Sequence, residues 1–220
     1  MEKIRVQIAK QEHLVYVPEI EESIIQASKV KGTGLAKRTK EYLSQKITEG
    51  KAVICLTQSG NFAGFCYIES WGHKKFVVNS GLIVIEKYRG QKLAMKIKQE
   101  AFKLSRKLFP DAKIFGLTTS LAVMKINSAL GYKPVTFSEL TDDEEFWKGC
   151  QTCSYYDVLF RTNRMHCLCT GMLFDPEKDQ KGWLIKKSLK KNGIKIKESG
   201  KELIGFISGK KKKQQTHKYA

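Results

Sequence analysis

Residues Ile83-Val84-Ile85-Glu86-Lys87-Tyr88-Arg89-Gly90-Gln91-Lys92-Leu93-Ala94 hold the densest chemical signal in the chain. An apolar strand runs into an Arg-Gly turn, and an amphipathic helix starts directly after it. The first N–H groups of a helix have no partner within the helix, and its dipole favours negative charge there. A glycine-containing turn feeding such an end is an anion site, and a diphosphate-bearing ligand is its natural guest. Three other sets of residues have types suited to chemistry. Glu69 lies in an apolar run beside that strand, and a carboxylate there is a candidate general base, ahead of Glu139 and His73. The segment Lys31–Thr39 is rich in Gly and cations, and Lys31, Lys37 and Arg38 suit carboxylates, Arg38 through a bidentate grip. Four thiols form two close pairs, Cys150-x-x-Cys153 and Cys167-x-Cys169. Four thiolates suit a tetrahedral zinc ion, which with no open coordination position would be structural; reduced thiols are the alternative. Cys55 and Cys66 fall in apolar runs and read as buried thiols.

The elements that must position these groups follow from periodicity. Residues 3–9 alternate as a strand, and Leu14, Val17, Ile20, Ile24 and Ala27 keep helical spacing. Thr39 is placed to cap a second helix through Thr48, closed by Gly50. Three strands follow as a meander over 52–57, 62–71 and 75–85. Gly81 interrupts the third and predicts a bulge. A helix over 91–108 carries the stripe Leu93, Ile97, Ala101, Leu104 and Leu108, and Pro110 ends it. Residues 113–118 read as a strand, 121–130 as a helix closed by Gly131, and 132–137 as a strand. A short helix is expected over 142–148 and a last strand over 155–159. This order predicts an α/β fold with a mixed sheet flanked by helices.

Bulk composition bounds the reading further. The chain has 220 residues, 41% of them hydrophobic, enough for one sizeable domain with an appendage. Its net charge of +18 is uneven: residues 178–220 carry 14 Lys against three acidic residues, a balance of +11. The expected organisation is a domain over 1–177 and a Lys-rich C-terminal extension over 178–220. Such a tail suits nucleic acid, an acidic surface, or solubility alone. Aromatics within it are sparse (Trp183, Phe206 and Tyr219), which argues against single-stranded nucleic acid as the main partner. No apolar run approaches the roughly 20 residues needed to span a bilayer, and no partner membrane is expected. Met1-Glu2-Lys3-Ile4-Arg5-Val6 lacks a basic-then-apolar leader, so a cytoplasmic location is expected.

The element order, the turn Arg89-Gly90-Gln91-Lys92-Leu93-Ala94 and the helix end Leu130-Gly131-Tyr132 resemble the GNAT family of acetyl-CoA-dependent N-acyltransferases over about residues 3–160. The family turn is Arg/Gln-x-x-Gly-x-Gly/Ala. Arg89 and Ala94 match it, and Lys92 stands where the middle glycine is usual. Phe115–Thr119, Phe137–Asp143 and Phe146–Cys150 further resemble single-domain bacterial members linked to arginine biosynthesis, which acylate the α-amine of glutamate.

The resemblance implies a mostly antiparallel central sheet and binding of acetyl-CoA or another short acyl-CoA. The pyrophosphate would rest on Arg89, Gly90, Gln91, Lys92, Leu93 and Ala94, with pantetheine along Ile83, Val84 and Ile85. It implies direct attack by a small amine, with Glu69 as base. Many members place an acidic Tyr one turn before the helix-ending Leu-Gly-aromatic. Here Asn127 occupies that position, and an amide hydrogen-bonds the sulfur or pantetheine without donating a proton as Tyr does. The Lys31–Thr39 segment would wall the acceptor site, which fits glutamate or a related amino acid and disfavours a polyamine. A protein amine, or an inert domain with a nucleic-acid-binding tail, are the other readings. A homodimer is left open.

Overall fold

A computed structural model describes residues 3–179. The basic extension over 178–220 lies almost wholly outside the described residues. The chain forms β1 (Ile4–Ile8), α1 (Val17–Lys29), α2 (Lys40–Thr48), β2 (Ala52–Thr57), β3 (Phe62–Trp71) and β4 (Phe76–Val84). It continues through α3 (Leu93–Leu108), β5 (Lys113–Thr118), α4 (Leu121–Ala129), β6 (Lys133–Val135), α5 (Glu144–Lys148), α6 (Tyr156–Arg161) and β7 (Thr170–Phe174). All seven strands share one sheet in the order β1-β2-β3-β4-β5-β7-β6. Among the described residues only β4 and β5 pair in parallel.

Helices cover both faces of the sheet. Val53, Cys55, Ala63 and Cys66 pack with Ile97, Ala101 and Leu104 of α3. Their neighbours Ala52, Ile54, Phe62 and Phe65 pack with Ile20, Ile24, Leu43 and Ile47 of α1 and α2. This alternation explains why β2 and β3 read as continuous apolar runs: each successive side chain enters a different core. Ile97 is fully buried, and truncating such a residue to Ala costs about 2–5 kcal/mol. A third core of Phe115, Phe137, Phe146, Trp147 and Leu159 closes the end of the sheet near β5 and β7.

Local signals set several boundaries. Thr39 Oγ1 accepts the Tyr42 N–H at 3.3 Å and starts α2. Ser120 caps α4, and Gly131 follows it at φ +92°. Asp143 caps α5 through Oδ1, and its Oδ2 accepts the Gly72 N–H at 2.8 Å, tying the β3–β4 hairpin to that helix.

Three expectations are corrected. Residues 155–159 are not a strand but enter α6, whose first turn is closed locally by the Val158 N–H bonded to the Tyr155 carbonyl. The edge of β5 that a strand there would need is taken by β7, which the sequence pattern did not reveal. The strand expected over 132–137 shortens to β6, because a 3-10 turn begins at Phe137. Helix α3 starts at Leu93 and not at 91. Among the described residues no helix is long and apolar enough to cross a membrane.

Candidate functional site

The parallel pair β4–β5 is short. Phe76, Val77 and Val78 oppose Lys113, Ile114 and Phe115, and beyond that point the two strands part. On its other side β4 stays paired with β3, through a register shift. Tyr67 faces Ser80 and Phe65 faces Ile83, so Gly81 and Leu82 together oppose Cys66. This is the bulge expected at Gly81. The residue sits at φ +65°, and an added Cβ would lie 2.6 Å from the Tyr67 ring. Only glycine combines that φ with that approach.

A cavity of about 1220 Å³ opens where the strands part. At one end it reaches the turn after β4. Gly90 has φ +80° and Lys92 φ 58°, and α3 begins with no side-chain cap. No backbone N–H from Gly90 to Met95 has an acceptor among the described residues. These donors are free for an anion, and the α3 dipole points the same way. Arg89 lines the cavity here, its Nε donating to the Val84 carbonyl at 3.3 Å. Lys92 occupies the left-handed region, which glycine adopts most readily. Ile83, Val84 and Ile85 line the middle of the cavity along the freed side of β4.

Polar groups gather at the fork. Asn127 is 1% exposed and lines the cavity, and its Oδ1 has no hydrogen-bond partner among the described residues. Leaving a buried carbonyl oxygen unpaired costs about 1–3 kcal/mol, and Asn127 Oδ1 offers the cavity an open acceptor. Asn79 Oδ1 accepts the Tyr132 hydroxyl at 2.9 Å, and its Nδ2 donates to Ser105 Oγ at 2.9 Å. Lys98, only 2% exposed, also lines the cavity, with Nζ 3.4 Å from Asn79 Oδ1 and 5.4 Å from the Tyr132 ring centre. Burial lowers the ammonium pKa of Lys98 and raises that of the Tyr132 hydroxyl. Lys98 escaped the sequence reading because it was not counted with the apolar stripe. Its position between Ile97 and Ala101 was the available signal: helical spacing puts 98, 101 and 105 on one buried face.

At the other end of the cavity, Arg38 is the one member of the Lys31, Lys37 and Arg38 set that lines it. Lys31 and Lys37 are exposed. Arg38 Nε donates to the Tyr67 hydroxyl at 2.8 Å, and Nη1 donates to the carbonyls of Lys37 and Gly149. This scaffold fixes the guanidinium plane and leaves Nη2 without a partner among the described residues.

Glu69 lies elsewhere. It does not line the cavity; Lys46 and Lys51 pair with it, and Tyr42 donates to it at 3.4 Å. Its carboxylate neutralises Lys46, whose side chain is 4% exposed. Glu139 and His73 are exposed and are also absent from the cavity wall. The cavity's own carboxylates are Glu19 and Glu22 on α1 and Glu86 after β4.

All four paired cysteines line the cavity, as Arg38 does. Their mutual proximity is electrostatically evident, since Cys150, Cys153 and Cys167 all raise the pKa of the Cys169 thiol after burial has done so. Burial likewise pushes Cys150 up to about 11. Among the described residues, however, no group of three or more His, Cys, Asp or Glu side chains is arranged to hold a metal ion. The zinc expectation for Cys150, Cys153, Cys167 and Cys169 is therefore unsupported. The close pack is steric as well: a Cβ on Gly34 would sit 2.9 Å from Cys169 Sγ, so the 31–39 segment lies directly on the thiols.

No protein-family model matches the sequence, and no curated protein is significantly similar to it in sequence. Solved structures are similar in fold. A Mycobacterium tuberculosis protein solved with CoA is 13% identical, with a TM-score of 0.56 over 78% of this chain and 98% of that one. N-acetylglutamate synthase from Neisseria gonorrhoeae, complexed with coenzyme A and N-acetyl-glutamate, is 16% identical with a TM-score of 0.57. That match covers 80% of this chain and 35% of the synthase, so this chain spans about a third of its length. A GNAT superfamily phosphinothricin acetyltransferase from Sinorhizobium meliloti, in complex with acetyl-CoA, is 14% identical with a TM-score of 0.52 over 78% and 88% of the two chains. With its splayed β4–β5 pair and its bulged β4, this chain has the GNAT fold.

Proposed function

We propose that the protein is an N-acyltransferase that moves a short acyl group from CoA to the amine of a small, carboxylate-bearing acceptor. The observation that carries this reading is the continuity of the cavity. It leads from the uncapped end of α3, along the freed side of β4, to the fork. An anion fits the first part and an extended amide chain the second, pairing as an added strand does. From Ile85 to Asn79 the strand spans about 20 Å at about 3.3 Å per residue, room for an extended pantetheine arm. The orphaned Asn127 Oδ1 suits an amide N–H of that arm. When bound, acyl-CoA supplies the activated carbonyl.

This chain's residues do the rest. Gly90 to Ala94 hold the diphosphate with backbone donors, and Lys92 adds charge beside them. Ile83 to Ile85 orient the arm. Arg38 offers Nη2 to the acceptor carboxylate and so orients the amine. The solved relatives bound to CoA, one of them with N-acetyl-glutamate, favour glutamate or a related amino acid in arginine biosynthesis as acceptor. The acceptor proton passes to water, because Glu69 is committed to its lysines. A thiol is acidic enough to leave with modest help, its pKa being near 8.5 in model peptides.

The test is CoA thiol release from acetyl-CoA and succinyl-CoA across amino acids, polyamines and a Lys peptide. Turnover with glutamate is expected. Arg38→Lys, which loses the planar fork, is expected to raise the acceptor KM about 10- to 100-fold and leave the acyl-CoA KM unchanged. Turnover with polyamines or the peptide alone would overturn the acidic-acceptor assignment.

A further inference from the structure

Lys98 has an unusual position for a lysine. It lies on the buried face of α3, beside the cavity fork, and no carboxylate pairs with it among the described residues. Its contacts are Asn79 Oδ1 and the face of Tyr132. Cys66 from β3 is the charged-state neighbour that acts electrostatically on Lys98, and its thiol donates to the Ser80 carbonyl. The other charged groups of the cavity wall are Glu19, Glu22, Glu86, Arg38 and Arg89, and none of them bonds to Lys98. An ammonium taken out of water with no counter-ion is costly, and such groups in clefts mark functional sites.

We infer that Lys98 is the electrostatic and proton partner of the departing CoA sulfur, in the place where Asn127 cannot donate as an acid. This rests on the acyltransferase reading above. As the acceptor nitrogen bonds to the acyl carbon, the C–S bond breaks and its electron pair stays on sulfur. The Lys98 ammonium faces that developing charge and passes one proton to the sulfur. The acceptor nitrogen sheds its proton to water, and Lys98 regains one from water once CoA departs. Three features of the fold prepare the transfer. Asn79 is fixed by Ser105 and Tyr132, so its Oδ1 holds the amine without neutralising it. The Tyr132 face stabilises the cation without supplying a charge. Burial lowers the pKa of Lys98 and so makes its proton easier to give up.

A binding experiment with product CoA tests the inference without any acceptor. The ultraviolet thiolate absorbance of CoA is titrated against pH in free solution, bound to the wild-type protein, and bound to Lys98→Met, with desulfo-CoA as the blank. The expected result is a bound thiol whose pKa falls by about one unit or more in the wild type, and that stays at or above the free value in Lys98→Met. A bound thiol with an unlowered pKa in the wild type overturns the inference even if Lys98→Met does not fold. Equal pKa values in both proteins overturn it as well. Absence of CoA binding to the wild type is a different result: it overturns the acyl-CoA reading on which this one rests. In turnover, Lys98→Met is expected to lower kcat about 100-fold with the acyl-CoA KM unchanged, and Lys98→Arg to restore part of it.

Discussion

Replacing Gly81 with alanine tests the geometry on which the site depends. The residue is held at φ +65°, and a Cβ there would lie 2.6 and 2.8 Å from two Tyr67 ring carbons. The left-handed conformation costs an L-residue about 1–2 kcal/mol, and forcing a methyl into a packed core costs about 1–3 kcal/mol more. Tyr67 is 1% exposed, so its ring has little room to retreat. The two effects share one cause of relief, a shift of β4 away from β3, so a total near 3 kcal/mol is expected. In urea, with a slope of about 2–3 kcal/mol per molar, the unfolding midpoint should fall by about 1 M or more. Function should follow stability here, because Tyr67 also accepts the Arg38 hydrogen bond. CoA titration should show weaker binding as the freed side of β4 moves. A midpoint within about 0.2 M of the wild type would refute the argument, because it would mean that no bulge holds Gly81 against Tyr67. In a Tyr67→Leu background the same substitution should cost markedly less, as expected for two residues in contact.

Other consequences are simpler to state. Lys92→Gly removes a left-handed strain of about 1 kcal/mol and should raise Tm by a few degrees, while weakening CoA binding at low salt; a lower Tm would count against the strain. Glu69→Gln leaves Lys46 buried with its main partner gone and should cost about 3 kcal/mol in urea unfolding. The pH profile of acyl transfer should be unchanged, and a lost ionisation in that profile would restore Glu69 as the base. Cys150, raised to about 11 from about 9, holds roughly 100-fold less thiolate at neutral pH than an ordinary thiol. Its alkylation, followed by mass spectrometry of the folded protein, should be correspondingly slow and should accelerate with pH up to that value.

Much of the fold was legible because its signals are local. The Arg89–Ala94 turn, the Thr39 cap and the apolar alternation of β2 and β3 each follow from a few neighbouring residues. The bulge at Gly81 was readable for the same reason. Long-range effects were not. Glu69 looked available in the one-dimensional pattern, yet Lys46, buried on α2, had already claimed it. Strand β7 was hidden because Thr170–Phe174 is short and contains a glycine, and its edge is supplied by β5, more than 50 residues earlier. The Tyr155–Leu159 run has strand-forming residues, yet the β5 edge they would need is held by β7 and the segment enters α6. Lys98 shows the same limit: polarity in a helix pattern reads as solvent exposure until the neighbouring strands are in place.

The position of β7 also orders events in time. Because it lies between β5 and β6, the sheet cannot be completed until Phe174 has been synthesised. Until then β5 presents an unpaired edge of apolar residues, the kind of surface that recruits other chains. The pairing of β5 with β7 closes a long loop that contains α4, β6, α5 and α6, and such closures are slow relative to local hairpins. The same event draws Cys167 and Cys169 to the cavity wall. The cavity wall that carries these thiols is thus assembled late, whereas the β2–β3–β4 meander and α3, with the uncapped turn between β4 and α3, contain mostly local contacts and can form first.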